Sequence, residues 1–418
     1  MLRQGLLRDP DFLKLWAGQT ISQIGSAITS MGLPLMAVLV LGASPLQMGV
    51  LASAGAAPVL VFGLFAGACA DRLRRRPILI ATDLTRAAVL GTIPLAAYLH
   101  RLTMAHLYAV ATVSAILTVL FDVSYQAYLP SLVDREDLIE GNSKLALSQS
   151  IAEVAGPGLT GVLVQLITAP MAIFYDAVSF VASAVSLWLI RRPDPLPERT
   201  EEPHIGREIS AGLGAVWRDP LLRAMAGRTV TGAFFLGFGG STYFLFATRE
   251  LGLSAAILGA IISVGGASNL AGAVLAERLV NRLGLGPTMI GAALTGALAQ
   301  LVVPLARGSV AVCSAFLLAA QLFDAAWPVY SINQISLRQA IVPNHLLGRV
   351  NSVSHLMFYG LLPLGALAGG AIAQTLGLRV TMLMGATGYL LSTLWLVWSP
   401  LRRLRELPGA SRRCLAAE

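Results

Sequence analysis

The chain has 418 residues, of which 56% are hydrophobic and only 12% charged, and its formal net charge is +8. Soluble globular domains carry roughly 25% charged residues, so this composition excludes an ordinary soluble protein. Apolar runs recur along the whole chain, and runs of about 20 residues are long enough to cross a hydrocarbon core of roughly 30 Å. The composition therefore indicates a membrane protein with many spans.

Twelve apolar runs follow one another, and each predicts a membrane-spanning helix. In the first half they lie near Leu13–Val40, Gln47–Ala70, Pro77–Tyr98, Met104–Val123, Ser143–Ile167 and Pro170–Ile190. In the second half they lie near Leu221–Ala247, Ala255–Ala276, Pro287–Ala306, Val310–Ile332, Ser352–Leu376 and Thr381–Trp398. The expected fold class is an all-α membrane protein.

Two motifs occur twice at nearly the same offset. The segment GACADRLRRR at 67–76 is echoed by AVLAERLVNR at 273–282, an offset of 206 residues (273 − 67). A second echo joins the segments that end at Asn142 and Asn351, an offset of 209 (351 − 142). Repeats of this size within a membrane protein indicate a duplicated helix bundle, as in secondary transporters. We therefore expect two pseudo-symmetric bundles of six helices each.

The region between the two halves has a different composition. It opens with four prolines among alternating charges, a mixture that stays solvated. Apolar residues then recur at helical spacing from Ile205 to Val216, which predicts a short amphipathic helix at the inner membrane surface. A partly ordered loop is the alternative. The predicted parts are bundles at 1–190 and 221–400, a cytoplasmic linker at 191–220 and a cytoplasmic tail at 401–418.

The basic residues lie mostly on one side of the predicted spans. The loops on the opposite side hold only Arg101, Arg249, Arg307 and Arg379. This positive-inside bias predicts an inner-membrane protein with both termini in the cytoplasm, and it leaves no reason to expect a nucleic-acid partner. The sequence holds three cysteines and neither a P-loop nor a Ser/His/Asp arrangement, so we expect no disulfide, metal, cofactor, ATP-driven pumping or enzyme activity.

The duplicated loop suggests a conformational latch. A carboxylate in each copy is expected to face the amino end of a helix in the other half, where the helix dipole attracts it by about 0.3–1 kcal/mol. The alternative is that these acids only balance the local positive charge. The latch residues are Asp71, Arg72, Arg75, Glu277 and Arg278.

Short segments in both halves carry a family resemblance. They are Gly67-x-x-x-Asp71-Arg72, Asp83-Leu-Thr-Arg86-Ala, Leu129-Pro130-x-Leu132-Val133, Asp176-Ala-Val-Ser179-Phe180 and the stretch from Arg338 to Val350. On these segments the chain resembles the major facilitator superfamily, and in particular its drug/proton antiporter branch with macrolide efflux proteins and the enterobactin exporter. The resemblance covers essentially the whole chain. It implies two bundles that alternate access to a shared cavity.

One departure from that family concerns protons. Relatives often carry an acidic residue in the first helix after Ser-x-x-Gly, whereas here Gly25 is followed by Ser26. If that acid carries protons in relatives, another residue must do so in this chain, or the transport is not coupled to protons.

The fifth predicted helix resembles the antiporter motif of exporters through Gly156, Pro157 and Gly161. Small residues let a neighbouring helix approach closely, and proline removes a backbone donor and favours a kink. The resemblance implies export. The alternative is ordinary packing of small residues without directional meaning.

Several charged residues lie inside predicted spans. Glu153 and Asp324 are candidates for proton coupling, because a permanently charged carboxylate near the middle of the membrane would be expensive unless it faced a cavity. A protonated Glu153 bonded to a neighbouring helix is the structural alternative. Asp83 and Arg86 are three residues apart on one helix and are predicted to form a structural ion pair.

Candidate cavity residues come from both halves. The first helix presents Gln19, Gln23 and Ser26 at helical spacing, and lipid cannot satisfy their hydrogen bonds, so they should line a cavity or bond to another helix. In the second half, Arg228 is a candidate for attracting an anionic substrate or pairing with an acid. Trp327 is a candidate for stacking against a bulky substrate.

The sequence as a whole predicts a monomeric secondary transporter within the lipid bilayer, with a small molecule and protons as its partners. We expect it to export an amphipathic compound, such as a drug, a macrolide-like compound or a siderophore, by proton antiport. An uncoupled facilitator or importer of a small metabolite is the alternative within transport. A membrane scaffold or sensor that transports nothing is the alternative from another class.

Overall fold

The computed structural model describes residues 6–194 and 205–407, apart from the side chains of 64–72 and 205–208. Within these residues the regular elements are all helical. The described residues form twelve helical spans that are long and apolar enough to cross a membrane, and some of them, such as Val310–Ile341, consist of two consecutive helices. The predicted all-α fold class is confirmed.

The chain divides into two compact units, and the first comprises residues 1–201 together with 253–263. In this unit α1 packs against α5 and α6, α3 packs against α4 and α6, and α2 packs against α4. Its helices are α1 (Pro10–Leu39), α2 (Pro45–Arg72), α3 (Arg75–Tyr98), α4 (Met104–Leu132), α5 (Leu138–Ile167) and α6 (Ala169–Trp188).

The second unit comprises residues 202–252 together with 264–418. Its helices are α7 (Ile205–Arg218), α8 (Pro220–Gly240), α9 (Tyr243–Leu245), α10 (Ala255–Leu283), α11 (Leu285–Leu305), α12 (Val310–Phe323), α13 (Ala326–Ile341), α14 (Asn344–Leu376), α15 (Leu378–Leu391) and α16 (Leu394–Val397). The residues of α10 up to Ser263 belong to the first unit, so this helix contributes to both. A π-helical turn, Phe246–Glu250, follows α9.

The duplication is visible in how the helices begin. Asp9 caps α1 by accepting the backbone N–H groups of Asp11 and Phe12 at 2.9 and 3.2 Å. Asp219 caps α8 in the same way, with the N–H groups of Leu221 and Leu222 at 2.8 and 3.0 Å. A proline occupies the first turn after each cap, where its missing N–H costs nothing. Each half therefore opens with the same Asp-Pro start signal.

A second equivalent pair separates the last two long helices of each half. Thr168 lies between α5 and α6, and Gly377 lies between α14 and α15, both with φ of 85°. Glycine adopts this conformation readily, whereas a β-branched residue is strained in it. The first half therefore holds a strained threonine where the second half has glycine.

The linker helix α7 is part of the second unit. Val216 of α7 is buried in a core that includes Leu285, Leu337 and Val353. A Cβ added at Gly212 would press against the backbone carbonyl of α14 at Arg349. The short helix predicted in the linker therefore packs closely on α14, because its apolar face meets a groove that only a small residue can enter.

Candidate functional site

The first unit contains a buried ion pair on α3. Arg86 donates a hydrogen bond to Asp83 with an N–O distance of 2.5 Å, and both side chains are buried. The guanidinium lies between the rings of Phe121 on α4 and Phe180 on α6, with its central carbon 4.4 and 4.2 Å from the two ring centres. The pair predicted from the sequence is thus held by two other helices through cation–π contacts.

Two further carboxylates share this arginine. Asp122 of α4 and Asp176 of α6 both interact electrostatically with Arg86. Asp176 is buried, its Oδ1 accepts a hydrogen bond from Ser179 at 3.0 Å, and Thr29 of α1 is a further partner of its carboxylate. Arg86 is therefore also the basic neighbour of Asp122. The cluster thus contains three carboxylates and a single guanidinium group.

The carboxylate of Asp176 also lies against the first helix. A Cβ added at Gly25 of α1 would meet the Oδ1 atom of Asp176 and the hydroxyl of Ser179. Gly25 is the residue after which the resembling family often carries an acid. In this chain α6 places a carboxylate beside that position, which the sequence pattern alone did not reveal.

The small residues of α5 make close contacts on two sides. Gly156 faces Ala27 of α1, and Gly161 lies directly against the backbone of Ala255 at the start of α10. The N–H of Gly158 donates to the hydroxyl of Ser263 at 2.8 Å. Pro157 lies between these contacts, so the helix combines an interrupted hydrogen-bond ladder with tight packing on α10.

Glu153 lies one turn before Pro157 on the same face of α5. Its carboxylate is exposed and accepts a hydrogen bond from the amide of Gln149 at 3.0 Å. The exposed apolar residues Leu147 and Ile151 lie toward the other side of the helix. Glu153 is therefore on a polar face of α5, away from its apolar surface.

The polar residues of α1 predicted to line a cavity, Gln19, Gln23 and Ser26, differ in their burial and hydrogen bonding. Gln19 is buried and donates to Ser183 of α6 with an N–O distance of 3.4 Å. Gln23 and Ser26 are half-buried, and the side-chain oxygen of Gln23 has no hydrogen-bond partner. Gln19 therefore takes part in packing between helices, the alternative that the sequence left open, while Gln23 retains an unused acceptor.

Among the cavities of the second unit, two lie next to each other within its membrane-spanning region. One has a volume of about 240 Å³ and the other of about 210 Å³. Residues lining both are Arg228, Leu236, Trp327, Tyr330 and Tyr389. Since these side chains border both cavities, the two form adjoining parts of one polar and aromatic site.

Arg228 is the central charge of this site. Its side chain is only 4% exposed, and its guanidinium carbon lies 5.2 Å from the ring centre of Tyr330 and 4.6 Å from that of Tyr389. Trp327 stands beside it and is 46% exposed. The structure thus brings the two second-half cavity candidates together with Tyr330 and Tyr389.

Asp324 lines the smaller cavity, at a break in the tenth span. The helix α12 ends at Phe323 and α13 begins at Ala326. Gly272 of α10 packs against the carbonyl of Ala325 in this break. Asp324 is therefore a half-buried carboxylate on irregular backbone that borders a cavity, as expected for a functional acid in a membrane.

The latch residues are only partly described. The side chains of Asp71 and Arg72 lie outside the described residues. Arg75 is half-buried, and Glu277 and Arg278 are exposed. The latch stays a prediction.

Sequence comparisons point to one class of protein. The family model described as "Transmembrane secretion effector" matches residues 5–416. The multidrug efflux pump Tap of Mycolicibacterium fortuitum is 28% identical over 97% of this chain and 98% of its own length. Macrolide efflux protein A of Streptococcus pyogenes is 26% identical over 51% of this chain and 53% of its own length.

Solved structures share the fold. A bacterial homologue of the iron transporter ferroportin, in its inward-facing state, has a TM-score of 0.71 at 19% identity, covering 94% of this chain and 99% of that one. The nucleoside transporter NupG has a TM-score of 0.70 at 12% identity, covering 93% of this chain and 98% of that one.

Together the twelve helices and the shared fold define a membrane transporter of the major facilitator type. The chain belongs to the transmembrane secretion effector family of the major facilitator superfamily.

Proposed function

We propose that this transporter exports an amphipathic small molecule across the cell membrane in exchange for protons. The observation that carries the proposal is the polar and aromatic site of the second unit, in which Arg228, Trp327 and Asp324 line adjoining cavities. Sites for small molecules combine mostly apolar walls with a few polar groups. Here that combination lies within spanning helices, where a transported molecule must bind.

Two observations support export as the direction. Relatives over most or half of the chain are named efflux pumps. In addition, α5 carries the tight Gly161 contact with α10 beside Pro157, and close packing there would limit leakage along this helix.

Carboxylates in the spans are the candidates for proton binding. Glu153 and Asp324 are the two that the sequence proposed. Asp176 is a third, because its carboxylate is buried in a cluster where three acids share one arginine. Protonation stabilises one conformation and substrate the other, so that differential affinity drives the exchange.

The remaining predictions complete this mechanism. The bundles at 1–190 and 221–400 alternate access, and the pairs around Asp71 and Glu277 hold one state closed. The linker at 191–220 and the tail at 401–418 are cytoplasmic. The transporter acts as a monomer in the inner membrane.

Export is tested by accumulation assays in an efflux-deficient bacterial host, with the cation ethidium and the anion fluorescein as probes. Cells expressing the wild type should accumulate less of at least one probe, and a protonophore should abolish the difference. At least one of the variants Glu153→Gln, Asp324→Asn and Asp176→Asn, each checked for membrane expression, should lose the effect. Equal accumulation with and without the transporter for a wide panel of amphipathic compounds would contradict export, and a difference insensitive to the protonophore would favour an uncoupled facilitator.

A further inference from the structure

The strongest unexplained feature of the site is the charge of Arg228. Arginine stays protonated under all physiological conditions. Arg228 is buried in the spanning helix α8, and among the described residues no carboxylate lies within ion-pair distance of it. Arg86 in the first unit, by contrast, has Asp83 at 2.5 Å. These two buried arginines therefore differ in that only Arg86 has an acidic partner within the described part of the chain.

The neighbours of Arg228 compensate its charge only in part. The rings of Tyr330 and Tyr389 flank the guanidinium, and the Tyr389 hydroxyl is a hydrogen-bond partner. The Nε atom of Arg228 and the buried hydroxyl of Tyr330 have no hydrogen-bond partner. Burying a charge without a counter-charge costs free energy, and buried hydrogen-bond donors without an acceptor add to that cost. The charge of Arg228 is therefore available to pair with an anionic ligand.

The described lining of the larger cavity is basic, which suits an anionic ligand. Its described lining includes two more basic side chains, Arg338 and His355, and no acid. Arg338 donates to the side-chain oxygen of Asn351 at 3.0 Å, which holds it in place. Aromatic walls are supplied by Trp327, Tyr359 and their neighbours. The only described acid of the site, Asp324, lines the smaller cavity and lies beyond ion-pair distance of Arg228.

We propose that Arg228 is the anion-binding residue of the substrate site and that the transported molecule is an organic anion, with a carboxylate or phosphate on an aromatic or apolar body. The anionic group pairs with Arg228, and the body lies against Trp327 and the two tyrosines. Arginine presents a planar fork of donors that suits both carboxylate and phosphate. This inference rests on the proposed function, since it names the substrate class of the same site.

The test uses the full chain in phosphatidylcholine nanodiscs and calorimetric titration with two probes, 2-naphthoate and its neutral isostere 2-naphthamide. The wild type should bind naphthoate at least about tenfold more tightly, since a charge-assisted hydrogen bond is lost in the amide. Arg228→Gln should bring the two affinities within about twofold of each other. The matched control Arg223→Gln, an exposed arginine on the same helix, should preserve the preference.

Stability gives a second readout. Removing an uncompensated charge should leave the apparent melting temperature of Arg228→Gln unchanged or higher, and naphthoate should raise that temperature only when Arg228 is present. Equal affinities of the wild type for both probes would overturn the proposal, as would a preference that survives Arg228→Gln. The wild-type comparison decides the matter even if that variant does not fold.

A lipid headgroup is the other source of such an anion. The titration is therefore repeated in nanodiscs containing phosphatidylglycerol. Persistence of the naphthoate preference supports a site for the transported molecule, and its loss would assign Arg228 to a lipid phosphate and overturn the proposal. If only neutral or cationic probes are exported and naphthoate does not bind, the substrate class is wrong while export stands. If naphthoate binds but nothing is exported, the anion site stands and the proposed function fails.

Discussion

Asp83 and Arg86 form a 2.5 Å ion pair one turn apart on α3, and both are buried between α4 and α6. The pair is not isolated, because Asp122 and Asp176 interact with the same guanidinium. Loss of the acid and loss of the base therefore have different consequences. Without Asp83 the arginine keeps two carboxylates, whereas without Arg86 three carboxylates lose the cation that they share.

The first prediction follows from that asymmetry. Arg86→Gln should destabilise the protein by about 3–5 kcal/mol, as expected when a buried partner is left unpaired. Asp83→Asn should cost clearly less, about 1–3 kcal/mol. The measurement is unfolding of the purified variants in one detergent, followed by tryptophan fluorescence. As a control, Glu140→Gln breaks a more exposed pair with Lys144 and should change stability by no more than about 1 kcal/mol. Equal losses of stability in Arg86→Gln and Asp83→Asn would contradict the view that three carboxylates share Arg86.

The second prediction concerns Thr168, whose φ of 85° suits glycine. Thr168→Gly should stabilise the protein by about 1 kcal/mol, because relief of backbone strain of about 1–3 kcal/mol outweighs the entropy that glycine loses. The equivalent Gly377 has the same φ and open space around its Cα, so Gly377→Ala should be destabilising through the backbone alone. Opposite signs for the two variants in thermal unfolding are expected, and a loss of stability in Thr168→Gly would refute the strain.

The third prediction concerns the contact between α5 and α10. Gly161→Ala should lower stability by about 1–3 kcal/mol and reduce export, because its Cβ would overlap the backbone of Ala255, which cannot move aside like a side chain. Gly141 on the same helix offers a matched control, since the nearest atoms to its added Cβ are 3.5 Å away. Gly141→Ala should therefore be tolerated. Export unchanged in Gly161→Ala would show that close packing here has no role in transport.

Features that depend on neighbours along the chain could be predicted from the sequence. The number of spans follows from hydropathy, and Asp83 and Arg86 meet because residues three apart share a helix face. Contacts between residues that are distant along the chain could not be predicted from the sequence. Gln19 reaches Ser183, 164 residues away, and Arg228 meets Tyr389 on another helix. A polar stripe indicates that a partner is needed, but only the packing of helices decides whether that partner is a side chain or a cavity.

The carboxylate beside Gly25 illustrates the same limit. The sequence shows that the first helix lacks an acid after Gly25, and the segment from Asp176 to Ser179 stands out as a shared motif. Nothing in their spacing relates the two. Only the packing of α6 on α1 brings Asp176 against Gly25, because glycine leaves room for the carboxylate.

The fourth prediction separates the candidate proton-binding residues. Glu153→Gln, Asp324→Asn and Asp176→Asn each remove one titratable carboxylate with little change of shape. At least one of them should abolish transport driven by a pH gradient while retaining exchange of labelled for unlabelled substrate, which needs no proton. Glu140→Gln, which removes a carboxylate in the first turn of α5 where it pairs with Lys144, serves as the control. Full pH-driven transport in all three carboxylate variants would remove these residues from the coupling mechanism.

Proton-coupled export itself is tested most directly in proteoliposomes that contain the purified transporter and a pH-sensitive dye in their lumen. With an exported substrate added outside and the lumen made acidic, the account predicts substrate accumulation together with a rise in luminal pH. The pH rises because each substrate molecule that enters the lumen is exchanged for protons that leave it. Accumulation with no change in luminal pH, at the same rate when no gradient is imposed, would contradict it.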